Sequence, residues 1–203
     1  MSDHYYTNKP GVKSSRRSFT DELRGKRLTF TVDKGVFSGG GIDFGSRLLI
    51  ESFTEPETEG DLLDVGCGWG PIGIAVAMST DQRRIDMIDV NERSVELARL
   101  NAEANGVADN VQIEQRDATK GLPGGGGYAA ILTNPPIRAG KDVVFAIYEE
   151  ASRQLKRGGE LWVVIQKKQG APSTEEKLKA LGLDVRTVTK KKGYVIFAGK
   201  KID

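Results

Sequence analysis

The chain has 203 residues, 38% of them hydrophobic and 29% charged, enough apolar material for one core of ordinary size and too much for a disordered chain. A single Cys and a single His, His4, exclude a disulfide framework, a Cys-rich zinc site and a histidine-based triad, so no metal is expected and catalysis has to use other groups. The net charge of +2 is unevenly spread: residues 1–30 carry +4, 153–170 carry +4 and 186–203 carry +5, leaving −11 elsewhere, and a basic head and tail on an acidic body suit a polyanionic partner.

Residues 1–60 read as an N-terminal extension packed on a single domain formed by residues 61–203. Within the extension, 28–32 (LTFTV) alternates like a half-buried strand, 36–45 (VFSGGGIDFG) reads as a loop, and Ser46 can start a helix carrying Leu48, Leu49, Ile50 and Phe53. From residue 61 short apolar strands alternate with amphipathic helices. Strands are predicted at 62–65, 85–90, 111–115, 129–133 and 160–166. Helices are predicted from Pro71, from an Asn91 cap to about Asn105, over 142–156 with Gly158 and Gly159 ending it, and over 174–181. Two last strands, 183–189 and 194–198, flank the basic turn 190–192. The glycine tract 124–127 reads as a flexible connector. Repeated βα units imply an α/β fold, a mostly parallel seven-stranded sheet with helices on both faces, and the consecutive last strands imply an antiparallel C-terminal hairpin. No apolar run approaches the about 18 residues of a membrane span and the start is polar, so no membrane association is expected and the compartment is read as the cytoplasm.

Open α/β sheets bind ligands beyond the carboxyl ends of their strands, so the chemistry is sought there. After the first strand comes Asp64-Val65-Gly66-Cys67-Gly68-Trp69-Gly70, whose glycines permit a sharp turn and let a ligand lie against the backbone. After the second comes Asp89, followed by Val90; a carboxylate there can accept from both hydroxyls of a ribose. After the third comes Asp117, followed by Ala118, placed to accept from an exocyclic amine. Residues 68–73 formally match the dinucleotide fingerprint G-x-G-x-x-G, but Pro71 removes a donor where a pyrophosphate needs one and Asp117 has no role in that fingerprint. The fourth strand ends in Asn134-Pro135-Pro136-Ile137. Two prolines fix the backbone, so the carbonyls of Asn134 and Pro135 join the Asn134 amide oxygen as a rigid set of acceptors suited to a planar amino group.

These residues resemble the class I S-adenosylmethionine-dependent methyltransferases. Residues 62–77 look like that family's first motif, and Asp89, Asp117 and 134–137 fall at its later ones. Within it, the runs GVFSGGGIDFGSR at 35–47, NPPIRAGK at 134–141 and KKKGY at 190–194 resemble the small-domain ribosomal RNA methyltransferases of the RsmC type, which act on the N2 amino group of guanine. The resemblance implies a Rossmann-like methyltransferase fold, S-adenosyl-L-methionine as cofactor and ribosomal RNA or the small-subunit particle as partner, met by the basic segments. It leaves the oligomeric state open, a monomer included. It implies cofactor contacts from Phe37, Asp43, Gly45, Asp64, Val65, Gly66, Cys67, Gly68, Asp89, Val90, Asp117, Ala118 and Asn134, and acceptor contacts from Asn134, Pro135, Pro136 and Ile137. Trp69 is placed either over the cofactor or in the core.

Three features depart from the pattern. Larger members carry a duplicated N-terminal domain that these residues do not include, many relatives carry an aromatic where Ile137 stands, and the loop 39–41 is richer in glycine. The mechanism implied is direct in-line methyl transfer by positioning, with no strong base and no covalent cysteine. An adenine-amino methyltransferase acting on DNA or RNA, a glutamine-amide methyltransferase acting on a protein, and a binding module without catalysis are the other readings.

Overall fold

The computed structural model describes residues 6–80 and 82–203; His4 lies outside them. Its first element departs from expectation. A strand β1 (Arg17–Leu23) pairs antiparallel with β2 (Lys26–Val32), forming a separate two-stranded sheet. The intervening Arg24 and Gly25 have φ of 52° and 71°, a tight hairpin turn whose first position ordinarily takes Asn or Asp. Arg24 is held there by its own side chain, whose guanidinium donates to the carbonyls of Ile50 at 2.8 Å and Phe53 at 2.7 Å. Those carbonyls end α1 (Phe44–Ser52), which begins before the expected Ser46 because Asp43 is its cap, accepting from the Ser46 N–H at 3.0 Å.

From β3 (Leu62–Val65) the alternation runs through α2 (Pro71–Ala77), β4 (Ile85–Asp89), α3 (Glu92–Ala104), β5 (Val111–Gln115), β6 (Tyr128–Thr133), α4 (Lys141–Gln154), β7 (Leu155–Gln166), α5 (Ala171–Ala180), β8 (Leu183–Lys191) and β9 (Tyr194–Lys201). Seven strands form one sheet in the order β5-β4-β3-β6-β7-β9-β8. The pairs from β5 to β7 are parallel, and β9 runs antiparallel to both of its neighbours. On β3 the side chains divide between two cores. Leu62 joins residues of α1, α2 and α3, while Leu63 and Val65 join residues of α4 and α5, so both faces of the sheet are covered.

One boundary is corrected. The helix over 142–156 stops at Gln154, and Gly158 and Gly159 lie inside β7 instead of ending a helix. Leu155 is already extended and buried, pairing with Tyr128, and the ladder resumes only at Glu160 opposite Ala130. The two glycines belong to that irregularity.

Asn101 of α3 ties the N-terminal hairpin to the sheet. Its buried amide accepts from the Thr31 N–H at 2.7 Å and donates to the carbonyls of Thr31 at 3.0 Å and Trp69 at 2.8 Å. Among the described residues no helix is long and apolar enough to cross a membrane.

Candidate active site

The loops following the parallel strands enclose a cavity of about 570 Å³. Its first wall is the turn after β3. Gly66 and Gly68 have φ of 72° and 57°, and a Cβ on either would meet nothing within 4 Å, so the turn needs glycine for its dihedral angles and leaves bare backbone facing open space. Asp89 at the end of β4 closes this turn. Its Oδ2 accepts from the Gly68 N–H and its Oδ1 from the Asn91 N–H, each at 2.8 Å. The Val90 N–H also bonds this carboxylate, whose two oxygens can accept about four hydrogen bonds, so acceptor capacity remains for a ligand. Burial pushes the Asp89 carboxyl up to about 6, against the pull of those backbone donors.

Val65, Val90 and Ala118 line the cavity with Asp89, as do Phe37 and Asp43. Four residues expected to touch a cofactor stand behind the lining. Asp64 is fully buried, and its Oδ2 accepts from the Gly73 N–H at 2.9 Å, anchoring α2. Its Oδ1 has no hydrogen-bond partner among the described residues. Burial pushes this carboxyl up to about 7, with the Gly73 N–H opposing and the Asp89 charge adding to the rise. Cys67 is buried in the turn, and burial together with the two nearby carboxylates drives its thiol well up, the opposite of a reactive thiolate. Asp117 caps a short turn, accepting from the N–H of Thr119 at 2.9 Å and its hydroxyl at 2.6 Å, while its neighbour Arg116 reaches the cavity. Gly45 lies beneath the ring of Tyr194. Trp69 belongs to the core: it is 1% exposed and packs edge-on to Phe30 and Phe19.

The opposite wall is the turn after β6, with Asn134, Pro135, Pro136 and Ile137 all on the cavity. The amide nitrogen of Asn134 donates to the Ser46 hydroxyl at 3.0 Å and to Asp43 Oδ2 at 3.3 Å. The start of α1 thereby fixes which way the amide points, and Oδ1 carries no hydrogen bond from the described residues. The Pro135 carbonyl is less free than expected. Pro136 adopts φ −76° and ψ 80°, a tight turn that lets the Ile137 N–H donate to it at 2.9 Å. One lone pair of that carbonyl remains available.

Sequence reasoning missed Ser46, Tyr6, Gln169 and Tyr194. Tyr6 lines the cavity, and its phenol is pushed up by burial and by the charges of Asp117 and Asp89. Tyr194 was recoverable from the reversed last strand: the first residue of β9 must pair with the last of β7, Gln166, at the edge where the parallel strands end. The same geometry settles the side of the basic run 190–192, which is less of a turn than expected because Lys190 and Lys191 still belong to β8 and only Lys192 enters the turn. The Lys167 N–H donates to the Gly193 carbonyl at 2.8 Å, so Lys167 and Lys168 adjoin 190–192 at the cavity rim.

These residues fit S-adenosyl-L-methionine: bare glycine backbone, a carboxylate with acceptor capacity left, and the unpartnered buried oxygen of Asp64. The model of the family described as methyltransferase small domain matches residues 27–198. The uncharacterized protein YbxB of Bacillus subtilis is 57% identical over 202 residues, covering 100% of both chains. The ribosomal RNA small subunit methyltransferase C of Escherichia coli is 37% identical over 146 residues, 68% of this chain and 40% of that one, so the chain spans under half the length of that relative. The solved T. thermophilus 16S rRNA N2 G1207 methyltransferase (RsmC), in complex with AdoMet and guanosine, superposes with a TM-score of 0.77 at 27% identity, over 95% of this chain and 52% of that one.

Proposed function

The chain belongs to the methyltransferase small domain family, alongside the RsmC-type enzymes, and on that premise we propose that it uses S-adenosyl-L-methionine to methylate an exocyclic amino group of RNA, guanine N2 of small-subunit ribosomal RNA. The observation that carries this reading is the fixed amide of Asn134. With its nitrogen held by Asp43 and Ser46, it offers an incoming group an oxygen.

Gly66 and Gly68 would hold the cofactor along bare backbone, Asp89 would accept from its ribose hydroxyls, and Asp64 would stabilise its ammonium. When bound, the cofactor supplies an electrophilic methyl on a sulfonium that carries its own activation. Asn134 Oδ1 and the Pro135 carbonyl accept the two N–H bonds of the substrate amine. That leaves the nitrogen lone pair directed into the cavity, and positioning of this kind is worth about 7–11 kcal/mol. The same oxygens stabilise the nitrogen as it gains positive character and sheds a proton to solvent, so no strong base is required. A base in a helix must leave its stack to reach this wall. Phosphates on either side then meet the basic rim, which positions RNA without reading its sequence. Ribosomal RNA as substrate makes the cytoplasm the working compartment.

The test is transfer of labelled methyl from S-adenosyl-L-methionine to separated RNA, DNA and protein fractions, followed by nucleoside mass spectrometry of ribosomal RNA from a deletion strain. Label in RNA and loss of one N2-methylguanosine are expected. Label confined to protein would replace this reading with the glutamine-amide one.

A further inference from the structure

The β8–β9 hairpin closes the sheet, and the chemistry described so far gives no role to the aromatic residue that opens β9. Tyr194, the first residue of β9, is half-buried and lines the cavity. Three neighbours fix its ring. Gln166 donates from Nε2 to the phenol oxygen at 2.7 Å. Phe44, at the start of α1, packs against it with centroids 5.4 Å apart and planes inclined by 46°. Gly45 supplies the space: a Cβ there would lie 2.7 Å from Tyr194 Cε1 and 3.0 Å from Cδ1, closer than carbon atoms approach. Gly45 is not in the left-handed region, so glycine is needed here for room and not for its dihedral angles.

The same turn of helix holds the acceptor amide, since Asp43 and Ser46 bind the Asn134 nitrogen. Residues 43–46 thus hold both the Asn134 amide and the Tyr194 ring that line one cavity. The position after Asn-Pro-Pro, Ile137, also lines that cavity and can pack on a ligand but offers no aromatic face. An aromatic face is what a nucleobase stacks on.

We propose that Tyr194 is the wall on which the acceptor base stacks, with Gln166 and Gly45 setting the position of its ring; the proposal rests on the proposed function and adds the residue that recognises a base. The stack holds the plane of the base while Asn134 selects its amino group. This division tolerates different bases at the ring and discriminates at the amide.

Guanosine is the probe, titrated into the full chain saturated with S-adenosylhomocysteine, whose own affinity is measured in parallel. Tyr194→Phe keeps the ring and its Phe44 and Gly45 neighbours but loses the Gln166 hydrogen bond, so it should lower guanosine affinity by about threefold at most, whereas Tyr194→Leu should lower it about tenfold or more and leave S-adenosylhomocysteine affinity within about twofold. Gly45→Ala crowds the ring without touching a base. It should weaken guanosine binding beside Tyr194 and have no further effect in the Tyr194→Leu background. Equal guanosine affinity in the native and Tyr194→Leu proteins overturns the proposal. So does a native protein that binds S-adenosylhomocysteine but not guanosine. A native protein that binds no S-adenosylhomocysteine overturns the proposed function and this inference with it.

Discussion

Replacing Asn134 by Asp changes one atom of consequence, the amide nitrogen that now faces Asp43. In the native protein that nitrogen donates across 3.3 Å to Asp43 Oδ2. In Asn134→Asp an oxygen takes its place, and two carboxylates meet. At a separation of 3.3 Å and an effective dielectric constant of about 20, their repulsion is about 5 kcal/mol. Both residues are partly exposed, so solvent screening reduces this to about 2.5 kcal/mol, equivalent to about 2 pH units. The folded variant relieves the repulsion by keeping one proton on the pair, which restores a donor between the two side chains. The unfolded variant sheds that proton near pH 4, the folded one only near about pH 6. Across that window the folded state binds more protons than the unfolded one, so stability of the variant relative to the native protein falls as pH rises, by about 2.5 kcal/mol in all, and is flat above and below. Thermal unfolding of both proteins from about pH 4 to pH 8 reads this as a widening difference in Tm of about 5–10 °C. A difference in Tm that does not change with pH would mean that Asp43 does not face the Asn134 nitrogen, and the orientation assigned to the acceptor amide would fall with it.

Asp89→Ala removes the acceptor for the Gly68 and Asn91 N–H groups as well as the ribose contact, so calorimetry should show S-adenosyl-L-methionine affinity lower by about 1.5–3 kcal/mol. Because burial raises Asp89 to about 6 and Asp64 to about 7, a cationic cofactor that favours their charged forms should expel protons on binding near pH 6 and bind more weakly as pH falls. Calorimetry in buffers of different ionisation enthalpy counts those protons, and no release would refute the assignment. Asn101→Ala strands the Thr31 N–H and the Thr31 and Trp69 carbonyls, and denaturant unfolding should show a loss of about 3 kcal/mol or more. Replacing Lys167 and Lys168 with Ala should weaken RNA binding and reduce its salt slope by about one unit per lost phosphate contact, with cofactor affinity unchanged; parallel slopes and equal affinities would make them ordinary surface charges.

The repeating part of the fold was legible because its strands are short apolar runs and its helices carry apolar stripes. Pro71 and the Asn91 cap sit where helices α2 and α3 begin, each for a local reason. Strand β1 was hidden because its sequence, RSFTDEL, carries charge at three of seven positions and its turn puts Arg at a place that usually takes Asn or Asp. Partners distant in sequence, the carbonyls of Ile50 and Phe53, the Glu51 carboxylate and the Ser79 hydroxyl, hold Arg24 there. The candidate site divides in the same way. Gly66, Gly68, Asp89 and Asn134 follow strands directly and could be read from order alone. Asp43 and Ser46 act on Asn134 through a contact that spans much of the chain. Asp64 at the end of the strand and Cys67 in the turn are both buried and stand behind the lining of the cavity, which spacing by itself does not reveal.

The reversal of β9 has a consequence for how such a domain can diversify. Parallel strands contribute only their last residues to the working edge, and their connections are whole helices. A reversed strand contributes its first residue and arrives through a hairpin of two residues, Lys192 and Gly193, with φ of 48° and 78°. The hairpin tip therefore projects over the rim of the cavity while its base is locked into the sheet by β7 and β8. The glycine turn and Asp89 lie on the other side of the sheet order, around β3 and β4. Lengthening, shortening or recharging the tip alters what is admitted without disturbing the strands that carry the nucleoside end. Exchange of this one hairpin between relatives is thus a route by which a lineage can change its target and keep its methyl donor.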